Sequence, residues 1–511
     1  MSTLDKESPD GAGNAVAASD PRRWKALGVL AAIQFMLVMD VTIVLVALPE
    51  IDNDLTFSSD GDLAWVLNGY VLMAGGFLLL GGRLADMFGR RKIFMIGVIC
   101  FGVASATCGA AMSSGMLVSS RFVQGLGEAL CGPAALGMIP ILFPDARERM
   151  KALGVWGGTA ALGGVIGSVV SGALTEWIDW RWIFYINIPI AIAALILVPR
   201  VMPESRMERE GRSVDVAGAI GITGGLVAVV YGLIKAADHT WGSSTVLVPL
   251  LAGIGVLLLT ALWETRVSDP MVPIRFFTNR TRVTSNVVTL ALLASFHCYA
   301  FLLIIYMQKV LLYTPIKAGM AVVPLAFAMG AGMGAASALM PRIGVKAVLA
   351  IGFGGAAVGL FVASSLEADS SYVGGVLPGM LVFGIFSAMC YPALVNGALY
   401  QVTGKDSGLA SGVQTAMQQI GGALGLATLV PVAIRYTTDH IGDGVLPTVA
   451  QSDGASRAFR VGAILVAVAA ALVIALMQKV DAIPRNVLAE ADAEPTEDSV
   501  TAQPTTTGAA S

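Results

Sequence analysis

Fourteen apolar runs separated by short polar bridges follow one another along this chain, at roughly 26–49, 62–82, 93–113, 116–143, 151–173, 182–202, 214–236, 245–265, 283–308, 316–340, 346–367, 372–401, 408–434 and 458–480. Each is long enough to cross a hydrocarbon layer ~30 Å thick, which takes about 20 helical residues. Unpaired backbone amides are costly in lipid, so only helices and closed barrels span it. Barrel strands alternate apolar and polar positions, and these runs do not. The pattern therefore predicts an all-α integral membrane protein of about 14 transmembrane helices.

Charge in the bridges alternates. If the first run leaves the cytoplasm, 24 of the 32 Lys and Arg fall in cytoplasmic segments. They include Arg22, Arg23 and Lys25, then Arg83, Arg90, Arg91 and Lys92, then Arg147, Arg149 and Lys151. Arg200, Arg206, Arg209 and Arg212 come next, followed by Arg266, Arg275, Arg280 and Arg282. The first bridge on the other side, 50–62, carries five acids and no base. The positive-inside rule then puts both termini in the cytoplasm of a multi-pass plasma-membrane protein. The first run follows a polar tail of about twenty residues and is too long for a signal-peptide core, so it is expected to stay uncleaved.

Composition adds a chain that is 56% hydrophobic and 13% charged, with net charge -3 and mean hydropathy +0.75. No nucleic-acid partner is expected. The tails 1–20 and 486–511, rich in Ala, Ser, Thr, Asp, Glu, Gly and Pro, cannot bury enough surface to order themselves. Cys100, Cys108, Cys131, Cys298 and Cys390 lie inside apolar runs without metal-ligand spacing, as small buried hydrophobes do. No Gly-x-x-x-x-Gly-Lys-Ser/Thr phosphate loop occurs, and bridges of about twenty residues leave no room for a nucleotide-hydrolysing domain.

A weak internal repeat organises the runs. Residues 88–97, beginning Phe88-Gly89-Arg90, align with 343–352, beginning Ile343-Gly344-Val345, and each opens a helix from the same side. The offset is eight helices, which six per repeat plus two inserted between the halves would give. This predicts a tail over 1–22, a six-helix bundle over 23–202, linkers with two inserted helices over 203–282, a second bundle over 283–480 and a tail over 481–511. Paired bundles around a central cavity are a common architecture for alternating access.

Four stretches carry a family resemblance. The bridge 82–92 sets Gly82, Asp86, Gly89, Arg90 and Arg91 in the spacing of motif A of the major facilitator superfamily. Three more resemble its fourteen-helix drug:proton antiporter branch: Leu37-Val38-Met39-Asp40 with Ala47-Leu48-Pro49, Arg121-Phe122-Val123-Gln124-Gly125 of motif B, and Trp180-Arg181-Trp182 through Asn187-Ile188-Pro189. The resemblance spans about 20–480. Motif C departs from the family, with Gly167-Ser168 and Ser171-Gly172 where a Gly-Pro pair and Gly-Gly are usual, so its proline kink is missing.

Asp40 stands mid-way along the first helix, where a bare carboxylate costs at least ~2.5–3.5 kcal/mol. It reads as a protonatable acid facing the cavity or as a structural acid bonded to a neighbouring helix. Arg121, Gln124 and Glu128 share one face of the fourth helix, and the resemblance implies a proton-coupling role for Arg121. Glu128 is a second proton site, the acidic partner of a cationic substrate, or a structural hydrogen-bonding group. Gly163, Gly167 and Ser171, beside Gly164, Ser168 and Gly172, make two small-residue ridges suited to close helix packing or to substrate contact. Gln124, His297, Asn396, Gln414 and Gln418 either line a cavity or join helices. For Asp86 and its bases the resemblance implies a cytoplasmic gate; the alternative is a loop that only sets topology.

The resemblance implies an exporter of amphipathic small molecules, drugs or antibiotics among them, that exchanges them for protons. A proton gradient would supply the energy, and no cofactor, metal or obligate protein partner is expected. A metabolite exporter or importer on the same fold is the alternative. A membrane enzyme would need a catalytic cluster that three histidines and scattered cysteines do not provide. A non-transporting receptor is the remaining reading.

Overall fold

The computed structural model describes residues 22–57, 60–143, 145–202, 204, 215–236, 239–267, 270, 276, 278–402 and 407–478. The tails expected to be disordered, 1–20 and 486–511, lie outside these residues, as do Arg206, Arg209, Arg212 and Arg275. Among the described residues fourteen helices cross the molecule. They are α1 (Arg22–Leu55), α2 (Trp65–Phe88), α3 (Arg90–Gly109), α4 (Ser114–Leu142), α5 (Ala146–Trp177), α6 (Trp182–Val201) and α7 (Val216–Lys235). Then come α8 (Ser244–Glu264), α9 (Arg280–Val310), α10 (315–343), α11 (345–363), α12 (Tyr372–Ala398), α13 (Ser407–Gly442) and α14 (Pro447–Leu476). α10 and α11 run on as one stretch of 49 residues that leaves helical geometry at Gly344.

Gly344 (φ 81°) and Gly89 (φ 104°) occupy matching places in the sequence repeat. A side chain is strained in this region. Glycine therefore allows a one-residue reversal between α2 and α3, where Gly89 N–H donates to Ala85 O at 3.1 Å, and again between α10 and α11. Packing follows the same duplication. α1 lies on α5 as α9 lies on α13, and α2 and α3 flank α4 as α10 and α11 flank α12. Two six-helix bundles, α1–α6 and α9–α14, result, with α7 and α8 as an inserted hairpin.

α7 lies against the seam between the bundles. Its Leu226, Val230 and Ile234 share a buried cluster with Trp65 and Tyr70 of α2 and Ile420 and Ala423 of α13. α8 packs on α7 and leaves Val248, Leu251, Leu258 and Leu259 exposed, a face that suits lipid.

The two bundles do not meet evenly. On one flank α2 stays against α13, with Gly75 under Gln419 and Leu79 against Gly412. On the other, α5 touches α10 only near the end remote from the face where α1 begins and α14 ends, hereafter the basal face. There Gly172 meets the backbone of Ile316, Gly319 meets the Ser168 carbonyl, and Glu176 Oε2 accepts from Ile316 N–H at 3.0 Å. Gln308 Nε2 of α9 donates to Val46 O of α1 at 2.8 Å and seals the same end. Towards the basal face α5 and α10 part. Phe327 is 74% exposed, and Leu153, Val155, Leu162 and Met333 are exposed too. The molecule is closed at one end and carries a cleft that opens at the other.

Candidate functional site

The N-terminal bundle holds a fully buried polar network in a largely apolar interior. Asp40 projects from α1, Ser105 from α3, Arg121 and Gln124 from successive turns of α4, and Asn187 from the first half of α6; all five are 0% exposed. Arg121 NH1 donates to Asp40 Oδ2 at 2.5 Å. Gln124 Nε2 and Asn187 Nδ2 both donate to Asp40 Oδ1 at 2.8 Å. The carboxylate thus accepts from three donors on two other helices. Arg121 also donates through Nε to Val66 O at 2.8 Å and through NH1 to Gln124 Oε1 at 2.8 Å. Its guanidinium carbon lies 4.2 Å from the centroid of the Tyr70 ring, a cation–π distance. Ser105 Oγ receives Asn187 Nδ2 at 3.1 Å and donates to Phe184 O at 2.8 Å.

Two charges taken out of water together are tolerated only with good geometry and further hydrogen bonds; here the carboxylate is met by three donors, while Arg121 NH2 is left without a partner. The pair is electrically neutral as a unit. Asp40 does not face the cleft, contrary to the reading of it as a cavity acid. Its donors come from α4 and α6, which turn it into its own bundle.

Glu128 does not join the network. It lies two turns along α4 from Arg121, about 10.5 Å of rise, on a stripe with Gly132, Leu136 and Pro140. Leu136 and Pro140 are exposed, and Glu128 and Gly132 partly so. A Cβ on Gly132 would meet nothing within 4 Å, so this side of α4 is open rather than packed against another helix. The nearest polar neighbour of Glu128 is the Tyr70 hydroxyl, although Glu128 Oε2 makes no hydrogen bond of normal geometry.

At the basal end, Asp86 Oδ1 accepts from Arg90 Nε at 3.0 Å and NH2 at 2.7 Å. Arg90 NH1 reaches Gly137 O of α4 at 2.7 Å, and Gly82 also lies against α4, near Pro133. Arg91 does not share Asp86. One residue further along the helix it points about 100° away, and it donates to Met202 O at 3.0 Å and lies 3.6 Å from Glu204 Oε2. Arg83 donates to Pro270 O, in the linker before α9.

On α5 the two ridges face different neighbours. Gly163 and Gly167 lie against α1, where Ser171 Oγ donates to Ile43 O. Ser168 and Gly172 meet α10, whereas Gly164, closer to the basal face, meets nothing within 4 Å. In the second bundle, Gln414 Nε2 donates to Thr289 Oγ1 at 2.9 Å and ties α13 to α9. His297 Nδ1 pairs with Leu293 O of its own helix at 3.0 Å. Asn396 is exposed and bonds Pro392 O of its own helix at 2.8 Å, and Gln418 is partly buried. Ser105, Asn187 and Tyr70 had not been singled out. A polar side chain inside an apolar run was their only signal, and Asn187 lay within a stretch already noted for its resemblance.

Two helical bundles around a cleft open at one end, with a buried ion pair in one of them, define a secondary-transporter fold. Residues 30–426 match the Major Facilitator Superfamily, and the chain belongs to that family of membrane transporters, which are not enzymes. It is 38% identical over 465 residues to the puromycin resistance protein pur8 of Streptomyces alboniger, covering 90% of this chain and 91% of that one. It is 36% identical over 440 residues to the lincomycin resistance protein of Streptomyces lincolnensis, covering 83% and 87%. Among solved structures, an auto-inhibited peptide transporter of the POT family shares the fold at TM-score 0.67 and 17% identity, over 90% of this chain and 98% of that one.

Proposed function

We propose that this protein exports amphipathic small molecules, antibiotics among them, in exchange for protons. Relatives named for antibiotic resistance over nearly the whole chain support the cargo class. The observation that carries the exchange is the contrast between two acids. Asp40 has its countercharge in Arg121 at 2.5 Å, whereas Glu128 fronts the cleft with no ion-pair partner among the described residues and only the Tyr70 hydroxyl beside it. A carboxylate without a countercharge in a low-dielectric wall is neutralised by a proton or by a cationic group of a substrate. Glu128 then carries the exchanged proton, and the Asp40–Arg121 pair is the element whose arrangement changes with it.

The distribution of Lys and Arg makes the basal face cytoplasmic in the plasma membrane, so both termini lie inside and the cleft opens inward. Closure on that side would engage Asp86 and Arg90 as a gate. The proton gradient is the energy source and no cofactor takes part.

The test is uptake into proteoliposomes holding purified protein, with puromycin, lincomycin and other amphipathic antibiotics offered in turn. Accumulation should follow an imposed pH gradient, collapse with a protonophore and ignore ATP. Accumulation insensitive to the pH gradient would refute proton exchange, and no flux of any compound across the panel would refute the cargo class.

A further inference from the structure

We propose that Tyr70 is the positioning residue through which Glu128 acts on the Asp40–Arg121 pair, an inference that rests on the proton-exchange reading of Glu128. Tyr70 is 0% exposed on α2. α4 crosses it so closely that Gly125 lies on the Tyr70 carbonyl, and the Phe101 ring meets its ring edge-on at 6.5 Å. The ring is therefore held in place. One face carries the Arg121 guanidinium, and the hydroxyl faces the Glu128 carboxyl.

Arg121 NH2 at one end of this line has no hydrogen-bond partner, and at the other the Tyr70 hydroxyl and the Glu128 carboxyl face each other as a side-chain pair that falls short of normal hydrogen-bond geometry. Buried polar groups are ordinarily satisfied, so an incompletely bonded line of this kind marks a place where a second arrangement completes the bonds. Functional hydrogen bonds are often long in the unloaded protein and tighten in the working state. In that second arrangement an ionised Glu128 accepts from Tyr70 Oη. The ring then tilts and the guanidinium riding on it shifts against Asp40. The charged and titratable groups around Glu128 are Tyr70 from α2, Asp40 from α1, and Arg121 and Cys131 from its own helix. Tyr70 is the member that contacts the pair and also faces Glu128.

The test needs no substrate. A single cysteine is placed in the cleft wall by Gly158→Cys, at a position where a Cβ meets nothing within 4 Å. Its maleimide labelling rate, in a Cys100→Ala background because Cys100 is not fully buried and divided at each pH by the rate of a small free thiol so that ionisation of the thiol itself cancels, is followed from mildly acidic to mildly alkaline pH in the full chain. One titrating group that drives opening changes this rate by about tenfold per pH unit near its midpoint, and Glu128→Gln should flatten the response. Tyr70→Phe keeps the ring, removes only the hydroxyl and should fold as well as the parent, yet it should flatten the response equally with Glu128 intact. Tyr70→Leu should flatten it and also lower thermal stability, because the guanidinium loses its platform. A flat Glu128→Gln with a parental Tyr70→Phe would overturn the role of Tyr70 alone. A parental response in Glu128→Gln would overturn the reading of Glu128 and the inference with it.

Discussion

Arg121→Gln tests the buried pair most severely, because the substitution leaves Asp40 where it is. Arg121 gives Asp40 Oδ2 a bond of 2.5 Å, binds Val66 O at 2.8 Å and stacks on Tyr70 at 4.2 Å. After the change, Asp40 keeps two amide donors, Gln124 and Asn187, but no countercharge. Removing one partner of a buried pair costs about 3–5 kcal/mol, a factor of roughly a hundred to several thousand in an equilibrium. Asp40→Asn strands the guanidinium in the same way. The double variant Asp40→Asn/Arg121→Gln removes both charges and should recover most of the loss, so the two single losses should be strongly non-additive. Heat denatures membrane proteins irreversibly, so the readout is the half-life of monodisperse protein in detergent at one temperature. Each single variant should shorten it at least about tenfold, while the double should stay within about threefold of the parent. Losses that simply add would show that the two side chains act independently and refute the pair as the organising contact.

Further expectations concern the gate, the seal and the sidedness. In the Asp86–Arg90 pair the Asp86 side chain is 41% exposed, so solvent screening limits its worth to about 0–1 kcal/mol. Asp86→Asn should therefore raise labelling of cleft cysteines by no more than about fivefold, and unchanged labelling with normal efflux would leave Asp86 without a gating role. A Glu176→Cys/Ile316→Cys pair, placed where α5 meets α10, should be bridged by a short reducible thiol cross-linker and stop transport until reduced; continued transport by cross-linked protein would show that this seal need not open. Reporter fusions after Arg212 and Arg282 should report the cytoplasm and those within 438–455 the outside, and an outside signal after Arg282 would break the fourteen-helix count.

The membrane helices were legible because apolar length dictates them, and the reversals at Gly89 and Gly344 were legible as a repeat although their positive φ was not. What stayed hidden was pairing across long separations. Asp40 and Arg121 each stood out as charges in apolar runs, yet nothing local says that residues 81 positions apart meet, or that Asn187, 147 positions from Asp40, completes the shell. Helical spacing put Arg121, Gln124 and Glu128 on one face, but depth separates them: two turns take Glu128 from the packed bundle to the open side of α4. Arg90 and Arg91 looked equivalent in the motif, and the 100° step between neighbouring helical residues sends one to Asp86 and the other to Glu204. The parting of α5 from α10 depends on how the two bundles sit against each other, which a linear pattern does not encode.

Proton exchange through Glu128 is the central claim, and reversed coupling tests it most directly. Proteoliposomes preloaded with a transported antibiotic and diluted into substrate-free medium, with no pH gradient at the start, should draw protons inward as the drug leaves. A pH-sensitive dye trapped in the lumen should report acidification that scales with drug efflux, and Glu128→Gln should release drug down its gradient without it. Parental drug efflux with no lumenal acidification, or equal acidification in Glu128→Gln, would contradict the account.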